Sequence, residues 1–329
     1  MPRRLLAPLL ALVALFALPA VASARVNIAV GIADQNTAMF SHPDWQALKV
    51  SQTRYFIHWD AIDKPGELAK ADQFVVAARA RGQRVLMHIS TNNLTRRQAK
   101  LPSVRAYRAK VGALYRRYRP AGVKEWGVWN EANHDTQPTF RSASRAASFY
   151  KEMRKFCKGC TIVGLDILDQ KGKNRRSSIN YDNYIRSWFR AAGSAGRSTK
   201  LIIGIHNYSE VNRYRTTTTG AIIREVKRFN RRAKFWYTET GGVASFGRSF
   251  PCNPSSASSI AAAELRQAKA INHMFRLAKK YRRDVKRLYS YNWTGTNCTN
   301  RFDAGLVRLD GSDRPAARSF RARLREYRR

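Results

Sequence analysis

Acidic residues are what this chain has least of: 22 Asp and Glu stand against 61 Lys and Arg over 329 residues, a formal net charge of +39. Long apolar runs are almost as scarce. One occurs at residues 5–18, interrupted only by Pro8, and no other follows, so nothing beyond it is long enough to span a bilayer. There is no Pro/Gly/Ser-rich linker, no low-complexity segment and no tandem repeat, which leaves one folding unit as the simplest organisation. No glycine-rich phosphate loop follows the first β-like segment, where Asp34-Gln35-Asn36-Thr37 stands instead, and this argues against a dinucleotide fold. Nor does any nucleic-acid-binding motif accompany the positive charge.

The one apolar run reads as an export signal. Arg3 and Arg4 precede it, and Ala22-Ser23-Ala24 supplies a small-residue cleavage site before Arg25. The expected organisation is a signal peptide over 1–24 and one mature domain over 25–329, secreted or otherwise extracytoplasmic, with no membrane span. Arg3 and Arg4 would leave with the leader, which lowers the net charge by two, to +37. Such a field attracts polyanions, among them acidic polysaccharide and wall teichoic acid. The basic residues are spread over helical segments such as Tyr115-Arg116-Arg117-Tyr118-Arg119 and Lys279-Lys280-Tyr281-Arg282-Arg283, a distribution of solvated outer faces. Lys173, Arg175 and Arg176 read in the same way, as a basic loop. The charge is expected to aid association with anionic cell-envelope polymers and does not mark a site.

Cysteine is sparse but even in number, and in an exported chain that favours disulfides. Cys157-Lys158-Gly159-Cys160 is close enough to bridge locally, which leaves Cys252 to pair with Cys298. Zinc is disfavoured because the second pair lacks metal-ligand spacing. No metal or cofactor is expected.

What the chain does have is a repeated alternation. Eight β-rich segments, 27–34, 52–60, 84–91, 125–131, 161–168, 200–208, 234–241 and 285–293, recur about every 37 residues, the length of a strand-loop-helix-loop unit. Helical spacing fills the gaps. Leu68, Phe74, Val75 and Ala78 share one face, as do Val104, Tyr107, Val111, Leu114 and Tyr118, and Leu265, Ala268, Ile271 and Phe275. The pattern predicts an α/β fold of the (β/α)8 TIM-barrel type.

In such a barrel the C-terminal ends of all strands meet on one face, where active sites are built. Polar residues collect at or near those ends: Arg54 and Trp59, His88, Asn130 and Glu131, His206 and Tyr208, Glu239, and Trp293. Two carboxylates on the fourth and seventh strands would face each other across the mouth, the arrangement that hydrolyses glycosidic bonds. Arg54 would hold Glu239 ionised, and Trp59 and Trp293 would offer flat faces to a sugar.

The set resembles the clan A retaining glycoside hydrolases, including cellulase-like family 5 and xylosidase-like family 39. Arg54, His88, Asn130-Glu131, His206-Asn207-Tyr208, Glu239 and Trp293 follow the family 5 order. The run Trp126-Gly127-Val128-Trp129-Asn130-Glu131-Ala132-Asn133 is similar to family 39, with Ala132 in place of the usual Pro. The resemblance implies Glu131 as acid/base, Glu239 as nucleophile and Asn130 as a reader of the sugar 2-hydroxyl. It implies a secreted hydrolase of a β-linked polysaccharide or oligosaccharide. The alternative is a non-catalytic, glycan- or envelope-binding barrel that uses its basic surface.

Overall fold

The computed structural model describes residues 25–95, 98–170 and 180–328. The expected signal peptide, 1–24, and the basic residues Lys173, Arg175 and Arg176 lie outside the described residues. Among those described, eight parallel strands close into a barrel: β1 (Val26–Ala33), β2 (Gln52–His58), β3 (Arg84–Ser90), β4 (Glu125–Gly127), β5 (Thr161–Leu168), β6 (Ile202–His206), β7 (Lys234–Thr240) and β8 (Val285–Tyr291). Each pairs with the next, and β8 returns to β1 from Ala29↔Arg287 to Ala33↔Tyr291. Strands such as β1 and β6 are almost wholly buried. Continuous apolar runs are what a parallel sheet needs when both its faces are covered.

Among the described residues, seven longer helices surround the sheet: α1 (Pro65–Ala80), α2 (Val104–Tyr118), α3 (Ala143–Phe156), α4 (Tyr181–Ala192), α5 (Thr218–Lys227), α6 (Ala257–Lys280) and α7 (Pro315–Leu324). Their starts carry familiar signals. The Ser103 hydroxyl accepts the Ala106 N–H, the Ser256 hydroxyl accepts that of Ser259, and Pro65 and Pro315 open α1 and α7. Between β1 and β2 the expected helix shrinks to two short turns, Thr37–Ser41 and Pro43–Ala47. On α6 the expected face is buried at Ala268, Ile271 and Phe275, but Leu265 is 56% exposed. Glu264 is buried in its stead because it pairs with Arg308 and with the buried Arg314.

The core has two parts. One lies between helices and sheet; the other fills the barrel with Ala33, Leu86, Val163, Ile202, Trp236 and Tyr289. Two glycines make room for polar groups above that inner layer. A Cβ on Gly127 would collide with the His88 ring, and one on Gly204 would collide with the Asp166 carboxylate. The barrel is thus apolar at mid-height and polar towards the mouth.

Cys157 is bonded to Cys160 at the end of α3, and Cys252 to Cys298 across the loops after β7 and β8. Those two loops also pair as short strands, Ser245–Phe246 with Phe302–Asp303. Arg314 holds Asp303 with two hydrogen bonds of 2.8 Å. The rim beside the mouth is therefore braced covalently and ionically.

Candidate active site

The site begins where β4 stops. The sequence pattern predicts a strand over 125–131, but regular pairing ends at Gly127. Val128 and Asn130 still donate their N–H groups to Val163 and Ile89. Glu131 then turns into the left-handed region, with φ of 42°, a conformation that costs a non-glycine residue free energy and persists only where its surroundings enforce it. The enforcement comes from β5. The Asp166 carboxylate accepts the Glu131 N–H at 3.0 Å, and the Asp166 carbonyl accepts that of Ala132 at 2.9 Å. Strand four ends early so that Glu131 can be aimed across the mouth.

Arg54, on β2, is the floor of the site. It is 1% exposed, and its three nitrogens are divided between three strands. Nη1 donates to Glu239 Oε2 at 2.8 Å, Nε to His88 Nδ1 at 3.1 Å, and Nη2 to Asn130 Oδ1. The guanidinium therefore fixes the β7 carboxylate and the β4 amide in one plane of contacts. Burial pushes His88 down to about 3, so it is neutral. It takes the Arg54 hydrogen bond on Nδ1 and leaves Nε2 3.9 Å from Asp166.

His206, on β6, is the hub. Its Nδ1 lies 3.1 Å from Glu131 Oε1 and 3.7 Å from Glu239 Oε2, and its Nε2 lies 2.9 Å from Asp166 Oδ2. Burial disfavours its charge, but Asp166 and then Glu239 outweigh burial and push it up to about 10. His206 is thus an imidazolium held among three carboxylates. Burial likewise disfavours the charge of Asp166, and His206, His88 and Arg54 hold it well below the usual range. For Glu131 the order is the same: burial raises it, and the hydrogen bond and charge of His206 bring it below its ordinary value. Tyr208 donates its hydroxyl to Glu239 Oε1 at 3.1 Å. Its own proton is held tightly, by burial and then by the Glu239 charge.

Above these groups opens a cleft of about 400 Å³. Asn130, Glu131, Tyr208 and Glu239 line it, while Arg54, His88 and His206 support it from below. Trp59 and Trp293 do not reach it, contrary to the expectation from sequence. Trp59 is 7% exposed and packs in the core under Lys110, whose ammonium sits 5.3 Å from its ring. Trp293 is 1% exposed. Its backbone N–H is drawn to Asp34 Oδ2 at 2.9 Å, and its ring turns away to meet His42 edge-on at 5.2 Å. The aromatic surface of the cleft comes instead from Phe56, Phe246, Phe250, Tyr291 and Phe302.

Asp166 and Asp34 are the functional neighbours that the residue pattern did not single out. A signal exists for Asp166: it is the only charge in Thr-Ile-Val-Gly-Leu-Asp-Ile-Leu, and a buried charge has to be paired. Asp34 follows β1 and ties the loop after β8 to it by accepting the Trp293 and Thr294 amides. Among the described residues no group of three or more His, Cys, Asp or Glu could hold a metal ion, and no helix is long and apolar enough to cross a membrane.

No family model matches the chain, and no curated protein matches it in sequence. Solved structures do. A GH10 endoxylanase retrieved from a sugarcane soil metagenome is 15% identical, with a TM-score of 0.60 over 91% of this chain and 97% of the other. Xylanase XynB from Paenibacillus barcinonensis, complexed with a conduramine derivative, is 13% identical, with a TM-score of 0.61 over 92% and 98%. Xylanase 10B from Thermotoga maritima is 13% identical, with a TM-score of 0.58 over 91% and 95%. At such identities the likeness is one of fold. Family 10 shares its clan with families 5 and 39, so the chain has the (β/α)8 barrel of the clan its motifs resemble.

Proposed function

We propose that the chain is a secreted glycoside hydrolase that cleaves O-glycosidic bonds of a β-linked glycan by double displacement, with Glu131 as acid/base and Glu239 as nucleophile. One observation carries this reading: both carboxylates converge on the same nitrogen. Glu131 Oε1 and Glu239 Oε2 lie 3.1 Å and 3.7 Å from His206 Nδ1, so the two oxygens are less than about 7 Å apart. Only a nearly collinear arrangement would reach the lower bound of the inverting range, about 6.5 Å. Retention, which needs about 5–5.5 Å, fits.

In the first step a Glu239 oxygen attacks the anomeric carbon. The bond to the departing sugar breaks, and the leaving oxygen takes a proton from Glu131. In the second step Glu131 removes a proton from water, the water oxygen attacks the anomeric carbon, and the ester to Glu239 breaks. Two inversions give retention. Arg54 and Tyr208 hold one Glu239 oxygen each by hydrogen bonds and so keep the carboxylate aimed at the cleft. In the free protein the mobile proton resides on His206. Closing sugar over the pair excludes water and disfavours the imidazolium-carboxylate form. The Nδ1 proton then passes to Glu131 along the 3.1 Å contact. Consumption of the Glu239 charge in the ester removes one of the supports of the imidazolium, which rebalances the pair for the second step.

The similar solved structures are xylanases, and β-1,4-xylan is accordingly the first polymer to try within a panel of β-glycans. Two disulfides and the residue pattern of 1–24 support export, and the +37 charge supports retention on anionic envelope polymers. Products from the panel are expected to keep the β configuration when followed by NMR at early times. Glu131→Ala is expected to lose general acid catalysis and to convert an activated aryl glycoside plus azide into the β-glycosyl azide. Release of α product would overturn the mechanism. No release from any glycan, with salt-sensitive retention on cell walls unchanged by Glu131→Gln, would establish the non-catalytic alternative.

A further inference from the structure

The catalytic cleft does not stop at its carboxylates. Asp169, Gln170, Ser209 and Arg213 line both that cleft and a second cavity of about 520 Å³, beyond the ends of β5 and β6. The two adjoin along these four residues, and the outer one is walled by Arg213, Arg215 and Arg224, all three exposed.

These three cations differ from their neighbours. Along the same face of α5, in a cavity that Arg224 also lines, Arg186 and Arg228 meet Glu225 at 2.7 Å and 3.5 Å. Among the described residues, no carboxylate lies within ion-pair distance of Arg213, Arg215 or Arg224. Residues 171–179 contain no Asp or Glu. Asp169, the acid that lines the cavity among the described residues, and the buried Glu210 are committed to backbone. Asp169 accepts the N–H groups of Ser209 and Glu210 at 3.1 Å and 2.6 Å, and burial pushes it up to about 7. Glu210 is fully buried and accepts the first amides of α5, from Thr218 and Thr219, at 2.8 Å and 2.9 Å. Arg213 is braced: Nη1 donates to the Ser209 hydroxyl at 3.1 Å, and its guanidinium lies 5.3 Å from the ring of Phe250, a residue of the catalytic cleft. Unpaired guanidinium groups around a concave wall concentrate anions and bind carboxylate or sulfate oxygens in pairs. The catalytic cleft is the opposite. Glu131, Glu239 and Asp166 there outnumber the cations Arg54 and His206 by one charge, so the balance disfavours an acidic sugar.

We propose that the outer cavity is a subsite for an anionic substituent, a uronic carboxylate or a sulfate ester, carried by an otherwise neutral β-linked chain whose cleaved bond lies between Glu131 and Glu239. This rests on the hydrolase reading above and names its substrate class: a mixed chain with sparse charges, not a polyuronide.

The test separates binding from turnover. Calorimetry at physiological ionic strength would compare three β-1,4-xylan oligosaccharides on the Glu239→Gln protein: one with a glucuronic acid branch, its carboxyl-reduced form, and one with a sulfate ester. The charged forms are expected to bind about 10-fold tighter than the reduced form. Adding Arg215→Gln and Arg224→Gln should erase that gap, while Arg105→Gln and Arg116→Gln on α2, an equal loss of charge elsewhere, should preserve it. The stronger of the two charged forms identifies the anion. Equal affinity for charged and reduced forms overturns the proposal. So does a gap that survives in the Arg215/Arg224 variant, or one that the α2 variant also loses. Because no bond is cleaved in this assay, failure of wild-type hydrolysis would sink the enzymatic reading without touching this measurement.

Discussion

The two ends of the barrel each hold a glutamate against a buried arginine, and only one of the pairs is equipped for chemistry. At the mouth, Arg54 meets Glu239 at 2.8 Å. At the base, Arg287 at the start of β8 meets Glu125 at the start of β4. Exposure does not separate them, since the Glu239 and Glu125 side chains are each 12% exposed. What separates them is company. Glu125 has Arg287, which is closed in by the Tyr289 hydroxyl at 2.8 Å and by the Trp236 ring at 3.9 Å. Glu239 shares its charge with Arg54, His206 and Tyr208, and it faces a second carboxylate across an open cleft. A buried ion pair by itself says little about function. A carboxylate wired to a titrating hub and left one open side says much more.

The largest effect should come from the mouth. Glu239→Gln is expected to lower kcat on the order of 10⁴-fold while the protein still folds, as circular dichroism and substrate affinity would report. Near-normal turnover would mean that the mouth pair is as structural as the base pair. His206→Asn should come next, with kcat down about 10²–10³-fold, the range of a lost proton-transfer partner. The same variant tests the electrostatics. A folded-state value of about 10 lies above the unfolded value of about 6.5. The stabilisation from a protonated His206 is therefore complete below about pH 6.5 and is lost as pH rises through about 10. Wild-type Tm should fall across that window, and His206→Asn should flatten the fall. An unchanged profile would remove His206 as the hub. The smallest effect on activity belongs to the base. Arg287→Met should leave kcat and KM alone but cost about 3 kcal/mol in chemical denaturation, because it strands Glu125. A large loss of kcat in that variant, at full folding, would erase the contrast between the two ends.

The barrel was legible because its signals are local and periodic. Apolar segments of strand length recur at the spacing of one β/α unit, and helix starts carry their own caps. Glu131, Glu239, Arg54, His88, Asn130, His206 and Tyr208 were legible for a related reason: polar residues at the ends of apolar strands need an explanation, and the closed sheet brings those ends together. Trp59 and Trp293 show the limit of that argument. Each stands just past a strand, where side-chain direction follows from loop geometry and not from the period of the strand. The loop after β8 is steered by Asp34, 259 residues away in the chain.

The sequence by itself determined the architecture and the roster of polar strand ends, since both follow from periodicity and order along the chain. The tertiary structure decided what those residues do to one another. Asp166 and His206 meet only because β5 and β6 pair and Gly204 leaves space for the carboxylate. Asp166 also accepts the Glu131 N–H where the chain leaves its strand, and its charge favours the proton on His206. The tertiary structure also distinguishes Glu239 from Glu125, two glutamates on arginines whose different surroundings no local pattern records. Charge state and direction depend on distance in three dimensions, and a linear pattern of residue types does not contain it.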